Sequence, residues 1–448
     1  MSLNDARLER RFDGIVRAMA KAPEESFPKV FRDEAELEAT YRFLSNERVT
    51  YETLLAPHLE ETLVRVAEAR LALVLHDSSA FAFGGECDRA DVGSLDGKRT
   101  SFLGHFAIAV TPGDERCALG LLGVEPTFRL DGPRREHWRL RQKSPDKESL
   151  RWPRMVDAVS KRVGERAQLI HVMDSEGDSY ELLAHLIGGG HRFVIRSAHD
   201  RNVEGDYASL TSAIATGETI ACRKVRVAGR TRLASRGAKT KHQPREARIA
   251  KLHVRATEVT LRRPDRRTDL PATLTLHVVH VYESDAPDGS EPVDWKLYTT
   301  EPIDSPERIL ASVDHYRNRW VIEEFFKALK TGCSYEKRQL ESRHALLNAL
   351  AILAPIAWQL LVLRQESRSD VATSAALTLR QIEVLRAVSR RPLPPTPTAR
   401  ELMLAVAALG GHIKNNGDPG WIVLGRGLAD LLAYEIGWAA RATRSDQS

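Results

Sequence analysis

The sequence predicts an α/β protein with helical segments at both ends, and three observations lead there. Apolar residues recur at helical spacing through residues 1–68 and again from about residue 305 onward. Between them lie short, continuous apolar runs, such as residues 71–75 and 168–173, the pattern of strands buried on both faces. From about residue 198 to 284, apolar residues alternate with basic ones, as in a sheet with one solvated face.

In order, Leu3, Leu8, Phe12, Ile15, Val16 and Met19 define a first helix, with Arg7, Arg10, Arg11 and Arg17 interleaved. A second helix is expected over 34–45. A third, over 51–69, carries Leu54, Leu55, Leu59, Leu63 and Val66 on one face. The period then changes. The strand at 71–75 ends in His76, Asp77, Ser78 and Ser79, and strands at 103–110 and 118–124 follow. A helix-favouring stretch, 147–163, leads to the strand at 168–173, which ends in Asp174. A short helix (180–187) and a strand (193–195) come next. Val225, Val227, Leu252, Val254, Val259 and Leu261 alternate with cations, and strands are expected at 274–281 and 295–299. A proline-rich stretch, 391–397, separates the last helical unit. Three strands, a helix and a strand match an RNase H-like core, in which antiparallel strands precede a parallel βαβ portion. The expected organisation is a helical N-terminal domain (1–69), a catalytic domain (70–366) with a β-rich basic insertion over about 198–300, and a helical C-terminal domain (367–448).

With 42% hydrophobic and 28% charged residues, the 448-residue chain has an ordinary globular composition. No run of about 18 apolar residues is apparent, so no membrane span is expected. The first 21 residues lack the apolar centre of a secretion signal, which points to the cytoplasm. Cys87, Cys117, Cys222 and Cys333 are scattered, with no zinc-type spacing, so neither disulfides nor a cysteine metal site is expected. The net charge of +5 hides a strong asymmetry: residues 223–267 hold 16 Lys or Arg against Glu246, Glu258 and Asp265, leaving the rest of the chain net acidic. A basic strip on an acidic body is the footprint of a polyanion partner, although a solvated basic loop would look the same.

Asp77 and Asp174 each follow an apolar strand, where side chains can project from a sheet edge into a crevice. Two such carboxylates on neighbouring strands could share hard divalent cations, Mg²⁺ or Mn²⁺ rather than zinc. Either Asp alone could equally cap a turn. Glu176 and Asp178 read as a cap or as outer support. Downstream, Tyr316, Arg319, Glu323, Lys327 and Lys330 are three or four residues apart and form one polar stripe if helical, with Trp320, Phe325, Phe326 and Leu329 opposite for packing. By periodicity alone that stripe could be an ordinary surface with ion pairs.

The spacing Tyr-x2-Arg-x3-Glu-x6-Lys, met by Tyr316, Arg319, Glu323 and Lys330, arises by chance roughly once in 250 such chains. It resembles the YREK signature of the DDE cut-and-paste transposases of the insertion-sequence-four family. Further pieces appear in that family's order: residues 5–11, 39–46 (ATYRFLSN), 76–79 (HDSS), 174–180 (DSEGDSY), 193–197, 295–302, and 410–421 near a C-terminal dimerisation unit. The resemblance implies that Asp77, Asp174 and Glu323 are the catalytic, metal-binding triad, holding two Mg²⁺ (or Mn²⁺) ions per site. It implies phosphate contacts from Tyr316, Arg319 and Lys330, a base-stacking role for Trp295, and weaker DNA contacts from Lys327 and Arg196. Arg7, Arg10 and Arg11 would serve recognition of the terminal inverted repeats. The implied partners are double-stranded DNA, both transposon ends and target, and a second copy of the chain in a DNA-bound homodimer. The implied setting is the bacterial cytoplasm and nucleoid. The implied reaction is metal-dependent cleavage at transposon ends through a DNA hairpin, then joining of 3′-OH ends to target DNA.

The sequence also departs from the family. It begins close to the recognition segment, so a helix that precedes it in many relatives is short or absent. Ser175 replaces the usual Arg, and His76 adjoins Asp77, where it could tune the carboxyl or simply occupy a turn. Two rival expectations follow: a transposition-deficient DNA-binding inhibitor, and an RNase H-like nuclease without strand transfer.

Overall fold

The computed structural model describes residues 5–31, 33–84, 89, 91–95, 97, 99–113, 116–130, 147–227, 229, 246–287, 289–368, 376–389, 392–413 and 417–445. The chain opens with helices α1 (Ala6–Lys21), α2 (Phe27–Val30), α3 (Glu34–Leu44) and α4 (Tyr51–Ala69). Asp5, Asp33 and Thr50 cap three of them by accepting backbone N–H bonds in the first turn. Helix α4 stops at Arg70, whose φ of 59° is left-handed, and the chain turns directly into the first strand.

The strands are β1 (Leu71–Ala82), β2 (Ser101–Val110), β3 (Ala118–Thr127), β4 (Gln168–Met173), β5 (Arg192–Arg196), β6 (Ala221–Val227), β7 (Arg248–Arg262), β8 (Thr273–Glu283) and β9 (Asp294–Thr299). They form one mixed sheet in the order β3-β2-β1-β4-β5-β9-β8-β7-β6. The first three pair antiparallel, β1, β4 and β5 run parallel, and β9 returns antiparallel against β5 to start a four-stranded antiparallel extension. Helix α5 (Arg151–Val163) precedes β4, α6 (Tyr180–Gly188) crosses from β4 to β5, and α7 (Leu210–Ala215) precedes β6. The mixed α/β class and the positions of the expected strands agree with the sequence.

Burial on both faces explains the continuous apolar run of β1. Ala72 and Val74 pack with Val66 of α4 and Met155, Val159 and Val163 of α5. Leu73 and Leu75 face the opposite layer, whose centre is the helix α10 (Arg343–Glu366). That helix is long and apolar enough to meet the length and composition test for a membrane span, contrary to the expectation that no such stretch exists. Most of it is buried inside the protein, where it packs against α1, α3, α4 and β3, so the same apolarity is accounted for by a core position. Its Asn348 amide donates to the carbonyls of Leu44 (2.9 Å) and Val49 (2.8 Å), tying the N-terminal helices to the core. Two further differences concern the site. Strand β1 does not end at Leu75 but continues through Asp77 to Ala82, because β2 supplies a partner from Leu73 to Ala82. The helix expected over the polar stripe is divided into α8 (Pro306–Asn318) and α9 (Trp320–Lys327), followed by a π-helical turn over Ala328–Gly332. At the break the Arg319 N–H turns to Tyr316 O (3.0 Å), and the neighbouring Asn318 amide donates to Asp314 O (3.0 Å) and Gly113 O (3.3 Å).

Helices α11 (Leu379–Val388), α12 (Ala399–Leu409) and α13 (Trp421–Ser445) complete the fold, with α13 packed on α1, α11 and α12.

Candidate active site

The β1–β4 ladder places the two aspartates. It runs in parallel register from Leu71 opposite Gln168 to His76 opposite Met173. The next step carries Asp77 to Asp174, because the constant offset of the ladder equals the spacing of the two residues. Each carboxylate accepts a local N–H bond: Asp77 from Ser78 (2.7 Å) and Asp174 from Glu176 (2.8 Å). Asp174 therefore also caps the turn that follows β4, whereas Asp77 lies within β1 and caps no turn.

Arg319, at the break between α8 and α9, joins the third carboxylate to Asp77. Its Nη1 donates to Asp77 Oδ2 at 3.2 Å, and its Nη2 is hydrogen-bonded to Glu323 Oε1 one helical turn away. Arg319 and Asp77 are each 14% exposed and Glu323 is 29% exposed, so one partly desolvated guanidinium bridges two acids while Asp174 acts on Asp77 from the neighbouring strand. Burial, reinforced by the neighbouring Asp174 and Glu323 carboxylates, pushes the Asp77 carboxyl up to about 7, against the opposing pull of Arg319 and the Ser78 N–H. Negative charge at this point is under-compensated. Three carboxylates are the donor type that suits Mg²⁺ or Mn²⁺, but with Arg319 between Asp77 and Glu323 their oxygens do not all lie within 4.8 Å of one another.

The flanking residues converge as well. Tyr316 is buried, and burial raises its phenol; the charges of Arg319, Arg196 and Asp174 also act on it. Trp295, half-buried on β9, meets the Tyr316 ring edge-on at 5.4 Å. Lys330 donates to Ala80 O on β1 at 2.5 Å and lies 3.6 Å from Glu336. Lys327 is exposed, with its ammonium 5.4 Å from the centre of the Trp320 ring. Trp320 itself is 52% exposed, which corrects its expected packing role; Phe325, Phe326 and Leu329 do pack. Arg7, Arg10 and Arg11 are exposed on α1, whose Ile15 and Met19 are buried.

Several supporting residues were invisible to sequence patterns. Arg151, at the start of α5, donates to Ser78 Oγ (2.9 Å) and reaches Glu176 Oε2 (3.5 Å), so one cation braces the residues that follow both aspartates. Asp178 is buried and accepts from Ala198 N (2.7 Å), His199 N (3.0 Å) and the Arg201 guanidinium, fixing the Asp174 loop to the end of β5. The exposed Glu176 side chain reaches Arg151. His76 occupies neither a turn nor the Asp77 carboxylate. It is wholly buried and its Nε2 bonds His171 Nδ1 at 2.9 Å.

Part of the basic strip, 230–245, lies outside the described residues. Of the rest, Arg223 is paired with Asp314 and Arg248 with Glu283. Lys224 and Lys251 are exposed register partners, with Arg226 exposed beside them, on the β6–β7 face.

Comparison with known families fits this geometry. Residues 1–49 match the family described as Transposase DNA-binding, and residues 151–358 match the family described as Transposase DDE domain. The second match contains Asp174 and Glu323. Asp77 lies outside it and is brought to the site by the ladder.

Proposed function

We propose that this chain, which carries a transposase DNA-binding region and a transposase DDE domain, is a DNA transposase that binds terminal inverted repeats, cuts transposon ends and joins 3′-OH ends to target DNA. The observation that carries the proposal is that the β1–β4 register sets Asp77 beside Asp174 while Arg319 links Asp77 to Glu323. The strand order β3-β2-β1-β4-β5, antiparallel then parallel, supports reading the core as RNase H-like.

In this proposal Asp77, Asp174 and Glu323 hold Mg²⁺ or Mn²⁺, two ions per site. Bound there, the metal would supply Lewis-acid stabilisation of attacking and leaving oxygens at the phosphodiester. Once the carboxylates are compensated by that charge, the planar fork of Arg319 is available for a phosphate oxygen. Tyr316 and Arg196 set a second hydrogen-bonding edge beside Asp174, and Lys330 and Lys327 extend the cationic rim. Trp295 offers an aromatic face to a base displaced from the duplex, which a hairpin intermediate requires because its strand must bend sharply. Trp320, exposed beside Lys327, is a second stacking surface.

Double-stranded DNA would be bound by Arg7, Arg10 and Arg11 of the 1–69 unit and by the Lys224, Arg226 and Lys251 face of the insertion. The 367–448 unit would pair two protomers, and exposed Ile422, Tyr434 and Trp438 on α13 support an apolar contact there.

Labelled duplexes from the DNA flanking the gene, incubated with the protein and Mg²⁺ or Mn²⁺, test this. Nicks, hairpins and joined products from the unaltered chain, absent with Glu323→Ala, are the expected result. Nicks without hairpins or joining would indicate a nuclease lacking strand transfer. DNA binding without any cleavage would overturn the enzyme assignment in favour of an inhibitor.

A further inference from the structure

Behind the sheet, on the side away from the carboxylate triad, Asp157 of α5, His185 of α6 and His191 at the entry to β5 come together. One ligand atom from each lies within 4.8 Å of the others, the one such His/Cys/Asp/Glu group among the described residues. His185 Nε2 is 2.7 Å from Asp157 Oδ1, and Ser160 Oγ, one turn further along α5, is 3.5 Å from His191 Nδ1.

The loop between the two histidines is shaped for this approach. Gly190 has φ +66°, and a Cβ on Gly189 would lie 2.7 Å from the His191 ring, so glycine is needed for the imidazole to fold back beside α5. The His185 and His191 rings are near-parallel, with centroids 6.2 Å apart and an interplanar angle of 21°. The other side of His191 meets His171 edge-on at 5.6 Å, which fixes the ring plane from within the sheet. Asp157 is exposed and both histidines are half-buried, so the cluster opens to solvent.

We propose that Asp157, His185 and His191 form a second metal site, selective for a borderline divalent cation of the Zn²⁺ type and distinct from the carboxylate triad. Two imidazoles and one carboxylate are a donor set for zinc, whereas three carboxylates favour Mg²⁺ or Mn²⁺. Tetrahedral zinc holds its ligand atoms about 3.4 Å apart, so modest side-chain rotation closes the triangle, and three protein ligands leave a fourth position for water. The ion would clamp α5, α6 and β5, the elements that flank the Asp174 loop. Helix α5 also carries Arg151, which braces Ser78 and Glu176. The site is therefore structural support for the catalytic face and takes no part in its chemistry.

The test uses the full-length chain with Asp174→Asn and Glu323→Gln, so that the triad does not contribute metal binding. Zn²⁺ bound per chain at micromolar free zinc is counted after equilibrium dialysis, and Co²⁺ is used separately for its visible absorption. The expected result is one Zn²⁺ per chain, with a tetrahedral Co²⁺ spectrum. Adding His185→Gln and His191→Asn should abolish both, as should Asp157→Asn, which alters an exposed side chain and is the readout should the histidine changes perturb folding. Equal zinc content in all these proteins would overturn the proposal and leave the cluster a His–Asp ion pair only. Because the triad is disabled in every sample, the outcome is independent of whether the protein cuts DNA.

Discussion

Arg319 Nη1 donates to Asp77 Oδ2 at 3.2 Å across 242 residues of sequence, while the same guanidinium holds Glu323 within its own helical segment. One side chain thus connects the first and last acids of the candidate triad, and the protein's metal-free state relies on it for charge compensation. Arg319→Ala should destabilise the metal-free protein by about 3 kcal/mol, as expected for removing one partner of a buried ion pair. Added Mn²⁺ should restore much of the loss. Denaturant unfolding with and without Mn²⁺ measures both, and a metal-independent loss would count against a shared metal site.

Asp77 makes the stability of the metal-free protein depend on pH. Its carboxyl titrates at about 7 in the fold against an ordinary value of 3.8, so between those values the unfolded chain binds fewer protons than the native one. The sign is therefore a loss of stability as pH rises from about 4 to about 7, at up to about 1.4 kcal/mol per unit. Asp77→Asn should flatten this dependence. Unfolding free energies across that range check it, and an unchanged slope in the variant would assign the effect to other groups.

Trp295 meets Tyr316 edge-on and keeps part of its ring accessible. If it stacks on a displaced base, Trp295→Ala should slow hairpin formation about tenfold or more, since such stacking contributes roughly 1–3 kcal/mol. Trp295→Phe should recover part of the rate. Single-turnover kinetics on pre-bound ends separate this from DNA affinity, and an equal defect in both variants would point to lost packing instead.

Lys224 and Lys251 face each other across the β6–β7 ladder, both exposed. Replacing both by Ala should weaken binding similarly on all sequences and reduce the slope of log affinity against log salt by about 2. An unchanged slope would remove this face from the DNA interface.

Much of this arrangement was legible in the chain. The apolar runs at 71–75 and 168–173 marked strands that do pair, and their common offset is the spacing between Asp77 and Asp174. Tyr316, Arg319 and Glu323 keep their helical phase because the break at Arg319 barely disturbs helical dihedrals (φ −51°, ψ −30°), although periodicity alone allowed an ordinary surface stripe. What was illegible depends on partners distant in sequence. The length of β1 is set by β2, the Trp320 exposure by the layout of α9 against the core, and the brace at Arg151 by contacts to residues 73 and 25 positions away. Asp157 lies 28 residues before His185, so no local spacing announces their cluster with His191.

The most direct test of the central claim is the single-turnover cleavage rate of a pre-bound end duplex in Mn²⁺, comparing the unaltered chain with Asp174→Asn. Asparagine keeps an acceptor for the Glu176 N–H, so the loop should persist while a metal ligand is lost. The expected result is a fall of about a thousandfold or more, several kcal/mol of transition-state stabilisation, with DNA affinity unchanged. A rate within tenfold of the unaltered chain would contradict the assignment of Asp77, Asp174 and Glu323 as the metal-binding triad.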